Sequence, residues 1–98
     1  MFELIRTTKM RLEILRKVCT PRDPGTGKQF LALCSASDAL EKDQTAKAVS
    51  VLYQAAHDLM LACWAARSQG HHGYVLQDSL SSGIAFEAKA FLKAHQIG

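Results

Sequence analysis

Ninety-eight residues, 48% apolar and 21% charged, make one domain with a modest core and exclude a disordered chain. The net charge of +3 is concentrated in residues 1–22, where Arg6, Lys9, Arg11, Arg16, Lys17 and Arg22 face only Glu3 and Glu13; the remainder holds six basic against seven acidic residues. Met1–Ile5 is followed at once by basic residues, which does not resemble a signal peptide, and the scattered Cys19, Cys34 and Cys63 suit free thiols in a reducing cytoplasm.

Phe2 to about Cys19 reads as the first helix. Ile5, Thr8, Leu12, Leu15 and Val18/Cys19 keep the three-four spacing of a buried stripe, and Thr20-Pro21 ends it because proline lacks the N–H the next turn needs. Pro21 to Gly27 holds two prolines and two glycines in seven residues and reads as a loop. Phe30–Cys34 is a short apolar run, read as a helical turn or two beneath that loop or, without an obvious partner, a strand. Asp38 followed by Glu41 offers a capping-box-like start to the next helix.

That helix, about 38–68, is the centre of the expected fold. Val49, Leu52, Ala56, Leu59, Cys63 and Ala66 form a heptad seam, Tyr53, Met60 and Trp64 a second stripe, and Ala48, Ala55 and Ala62 a flank that another backbone can approach closely. Val51 and Leu61 lie at the back. Gln54, His57 and Asp58 fall mid-span, and a central Asp costs about 2.5–3.5 kcal/mol on insertion scales, which argues against a membrane helix. Gly70 suits a left-handed position just past the helix end.

The last helix spans about 74–95. Leu76, Leu80, Ile84, Ala88 and Phe91 give its expected buried stripe, widened by Val75, Phe86 and Leu92. Ser81-Ser82-Gly83 is a weak point that predicts a kink or a new helix start.

Three stretches touch on known chemistry. Gly25-Thr-Gly-Lys28 has part of a phosphate-binding loop, but Gln29 replaces Ser/Thr, the first Gly is missing and no strand precedes it. His57 on a long helix, with Leu59 two residues on, superficially resembles histidine phosphotransfer domains; Met60 and Leu61 stand where that family has Lys and Gly. Arg67 with His71 and His72 is similar to the Arg-x4-His signature of helical RNA-cleaving HEPN domains, although Gly70 and Gly73 place the pair in a loop. These resemblances imply His57 or His72 as a reacting group; the residues themselves read as a half-buried histidine and solvated loop histidines. No Cys or His spacing matches a metal site, so neither metal nor cofactor is expected, and the thiols read as core fillers.

The expected architecture is all-α: an antiparallel hairpin of helices 38–68 and 74–95 with helix 2–19 packed across it, a three-helix bundle that dimerises. The expected function is a cytoplasmic, non-enzymatic interaction module: an adaptor, chaperone-like factor or inhibitor docking an apolar helix face onto a larger partner with an acidic surface. Val51, Ala55, Leu61 and Ala62 would supply the anchors, and Arg6, Lys9 and Arg16 a basic rim. The alternatives are a nucleic-acid-associated regulator using the basic first helix and histidine-dependent phosphotransfer or RNA cleavage.

Overall fold

The computed structural model describes residues 1–70 and 72–95. These form four helices, α1 (Phe2–Val18), α2 (Gly27–Lys42), α3 (Ala46–Ser68) and α4 (Val75–Ala94), with a 3-10 turn, His72–Tyr74, leading into the last. No strand occurs among the described residues.

The all-helical class holds, but there are four helices rather than three. The stretch 38–68 is not one helix. Asp38 lies inside α2, where its capping role is lost, and the chain breaks at Asp43-Gln44-Thr45. The Thr45 Oγ1 accepts a hydrogen bond from the Ala48 N–H (3.2 Å), satisfying one of the four donors a new helix leaves unpaired. Asp43 leaves helical geometry (φ −134°, ψ 89°), which ends α2. The Phe30–Cys34 run is the apolar face of α2, with Phe30, Leu33, Ala36 and Leu40 buried.

The helices close a ring. α3 packs along α2 on one side and α4 on the other; α1 meets α2 and α4 but not α3, so α1 and α3 lie on the diagonal. Neighbours run antiparallel. Along α1, Lys9 pairs with Glu41, and Arg16 shares a cleft with Ser37. On its other side Thr7 meets Glu87, and the Val18 carbonyl accepts from Gln77. The α3 seam is the centre of the core: Val49, Leu52, Ala56, Leu59 and Cys63 are fully buried, with Leu12, Leu15, Leu33 and Ile84 around them. Burying each large aliphatic side chain is worth about 1.5–3 kcal/mol.

Two glycines permit close approaches. A Cβ on Gly27 would lie 2.2 Å from the Pro21 carbonyl oxygen, so the loop folds back on the first turn of α2. Gly70, at φ 90°, turns the chain after α3 as its position past the helix end predicts. Ser81-Ser82-Gly83 starts no new helix: α4 is continuous there. The Ser81 hydroxyl donates to the Gln77 carbonyl (2.8 Å) and the Ser82 hydroxyl to Asp78 (3.1 Å), so both are satisfied within the helix.

Replacing Thr45 by Ala is expected to cost about 1 kcal/mol of unfolding free energy in urea titrations, the usual cost of a lost N-cap. Gly27→Ala should cost about 1–3 kcal/mol in the same measurement, because the methyl meets backbone rather than a movable side chain.

Candidate functional site

The sequence-derived docking residues do not share a surface. Arg6, Lys9 and Arg16 are on α1; Val51, Ala55, Leu61 and Ala62 are on α3, diagonally across the bundle. Ala55 is buried and Ala62 half-buried, because α2 and the loop before it cover the alanine flank. Val51 (50% exposed) and Leu61 (43%) remain open. They lie ten residues apart, about 15 Å along the helix, separated by a Gln54–Asp58 hydrogen bond of 2.9 Å. Leu61 has the exposed Trp64 (48%) one turn on, and Val51 stands apart from both. The basic residues are dispersed as well: Arg6 pairs with Glu3 (2.8 Å) and Lys9 with Glu41 (2.7 Å), while Arg16 faces α2.

The groups tied to known chemistry are engaged locally. His57 is half-buried and stacked on Tyr53, with ring centroids 5.7 Å apart. Arg67 pairs with Asp78 (2.7 Å), which also accepts from the Trp64 indole N–H (2.9 Å). His71 lies outside the described residues, and His72 begins the 3-10 turn. Burial pushes the Cys63 thiol up to about 12 and the Cys19 thiol to about 11, so neither supplies a thiolate near neutral pH. Among the described residues no group of three or more His, Cys, Asp and Glu could hold a metal ion, and no helix is long and apolar enough to cross a membrane.

A groove of about 810 Å³ lies where the α1–α2 loop meets the end of α3, floored by Ala62, Ala65 and Ala66. Its polar wall is the Asp23–Tyr74 pair. The Tyr74 hydroxyl donates to Asp23 Oδ2 and the Gly25 N–H to Oδ1. The first bond holds the Asp23 carboxyl below its ordinary range and pushes the Tyr74 phenol up to about 12. Neither group exchanges protons readily near neutral pH. Together they tie the loop to the start of α4.

Further exposed apolar side chains lie on α4 and α1. On α4 Ile84 and Ala88 of the expected stripe are buried and Leu80, Phe91 and Leu92 pack half-buried against the core, but Gln77, Ser81 and Ala85 complete the buried face. Leu76, Val75 and Phe86 are exposed instead, Phe86 at 76%. Two residues along a helix turn about 200°, so Phe86 points away once Ile84 is in the core. On α1, Leu4, Thr8, Leu12 and Leu15 are buried, and Met10 (53%), Ile14 (44%) and Val18 point outward. The Arg11 guanidinium lies against Gly83, where a Cβ would stand 2.7 Å from Nε, and reaches Glu87 (3.0 Å); Phe86 is one residue from this junction along α4. Shallow depressions of about 250 and 270 Å³ run along α1, the second lined by Arg6, Thr7, Met10, Arg11 and Ile14. Arg6 Nη1 donates to the Met10 sulfur (3.3 Å), laying its stem over the patch.

Thr7, Arg11 and Glu87 form the polar tie beneath this face. Burial raises the Glu87 carboxyl, but the Thr7 hydroxyl (2.5 Å) and Arg11 outweigh it and leave it below the ordinary glutamate range. A carboxyl held low in the folded chain stabilises above its unfolded pKa, and that contribution is lost as pH falls through the folded value. Urea midpoints should therefore drop on acidification from about pH 5 to about pH 3, and Glu87→Gln should flatten part of that slope while lowering stability at pH 7. Comparison of the chain with protein-family models, with curated proteins and with solved structures found no match.

Proposed function

We propose that this chain is a small intracellular protein-interaction module, not an enzyme, that works by docking the outer face of α1 and α4 onto another polypeptide. One observation carries the reading: Met10, Ile14, Val18, Leu76 and Phe86 stand exposed on two neighbouring helices, and exposed apolar side chains gathered on one side of a fold usually mark an interface. Large apolar anchors within a polar rim are the arrangement in which a few side chains carry most of the binding energy. An adaptor, a chaperone-like factor or an inhibitor would all use it by occluding the surface it covers.

The charges around the patch support apolar docking over electrostatic capture. Arg6, Arg11 and Lys17 alternate with Glu3, Glu13 and Glu87, and two of the three bases are already paired within the chain. Such a rim sets orientation more than affinity, and the strongly acidic partner expected from the +3 charge is not part of the proposal.

A tagged bait used in native lysate should retain polypeptide, untagged copies of the chain included, with weak salt dependence. Phe86→Asp should lower that binding about 30-fold, the roughly 2 kcal/mol of a buried apolar anchor, while Leu61→Asp, on the far side of the bundle, should leave it unchanged. Equal retention by all three baits would overturn the docking face. A steep log–log dependence on salt would instead point to the basic helix and nucleic acid.

A further inference from the structure

We infer that the occupant of this face is a second copy of the same chain, with α1 lying antiparallel on α1 across a two-fold axis near Met10. The inference rests on the docking reading above and names its partner.

The outward residues of α1 form a second seam. Glu3, Thr7, Met10, Ile14 and Lys17 follow at spacings of four, three, four and three; Glu3, Met10, Ile14 and Lys17 are exposed, and Thr7, half-buried on Glu87, marks the edge toward α4. A seam at that spacing is what one helix presents to another. It is acidic at one end and basic at the other. A parallel copy would set Glu3 against the partner's Glu3 and Lys17 against the partner's Lys17. An antiparallel copy centred on Met10 sets Glu3 against the partner's Lys17, and Arg6 beside the partner's Glu13 and Ile14. Every charge on the seam then faces its opposite twice over, as an isologous interface requires. Glu13 and Lys17 are exposed and make no salt bridge within the described residues, so both are available for this pairing.

The centre of the contact is apolar. Met10 meets the partner's Met10 on the axis, and Ile14 packs on the aliphatic stem of the partner's Arg6. Phe86 and Leu76 are exposed on the neighbouring α4. The 17 residues of α1 span about 25 Å, and two helices side by side are about 20 Å wide. The face is therefore about 500 Å² per copy and about 1,000 Å² in total, the size of a weak or transient interface. That area suits a dimer of low affinity. The balance of charge also selects this occupant: a rim of three acids and three bases gives an acidic protein or an anionic membrane no net attraction, whereas a second copy uses both signs.

Sedimentation equilibrium of the full chain tests the pairing. A concentration-dependent dimer is expected, and Lys17→Glu should weaken it about tenfold, because two symmetry-related ion pairs become carboxylate repulsions, with helical circular dichroism unchanged. Under mild oxidation Met10→Cys should form a covalent dimer at least about tenfold faster than Phe2→Cys, since Phe2 is 77% exposed on the same helix but off the seam. A chain that stays monomeric throughout, or equal cross-linking at both positions, overturns self-pairing. Monomeric behaviour alongside capture that Phe86→Asp abolishes would remove the second copy while leaving the docking reading intact; loss of both would remove both.

Discussion

The structure depends on keeping one seam of α3 dry. Val49, Leu52, Ala56, Leu59 and Cys63 have no exposed surface, and they belong to the longest helix in the chain. Two helices must flank that seam to cover it, and α2 and α4 do so. The alanine flank allows α2 to come close, because methyl groups hold backbones apart far less than leucines do. Once α2 and α4 occupy both sides of α3, α1 can only close the ring from the diagonal. Nothing in the described chain then lies beyond the outer faces of α1 and α4, and the apolar side chains there stay in water.

The attachment of α1 differs in kind from the contacts around α3. Its side toward α4 is joined by polar and small groups: Thr7 and Arg11 on Glu87, Gln77 on the Val18 carbonyl, and Gly83 under the Arg11 guanidinium. Among the described residues the Thr8 hydroxyl and the Gln77 side-chain carbonyl are buried without a hydrogen-bond partner, as is the Thr26 hydroxyl at the start of α2. Each such group costs about 1–3 kcal/mol relative to a satisfied one. This side of the bundle therefore gains less from its own packing than the α2–α3–α4 side does. Apolar association over the outer face of α1 would add burial where the chain itself supplies least.

Several titratable side chains are held in structural bonds or buried. Asp23 and Tyr74 lock a loop to a helix start; Asp78 gathers Trp64, Arg67 and Ser82; the titrations of Cys19 and Cys63 are driven upward by burial. General acid–base and nucleophilic steps need a group whose proton moves near neutral pH, and these arrangements push the other way. A docking role rests on the opposite kind of feature, side chains left without cover.

Periodicity alone determined much of this fold. The six seam residues of α3 are all buried, the first helix ends within a residue of its expected end, and Gly70 takes the left-handed turn, because these depend on spacing and backbone sterics within one segment. Three features were decided only by tertiary packing. The break at Asp43–Thr45 escaped notice because Asp38 and Glu41 offered a rival start, and only the folded chain sends Glu41 to Lys9. The inward face of α4 keeps Ile84 and Ala88 but shifts toward Gln77 and Ser81, which look like surface residues until their hydrogen bonds to the Val18 and Gln77 carbonyls are in place. With that face shifted, Phe86 and Leu76 became surface. The candidate docking surface moved from α3 to α1 and α4 for the same reason. A side chain's exposure depends on which neighbour arrives, and no single helix carries that information in its own spacing.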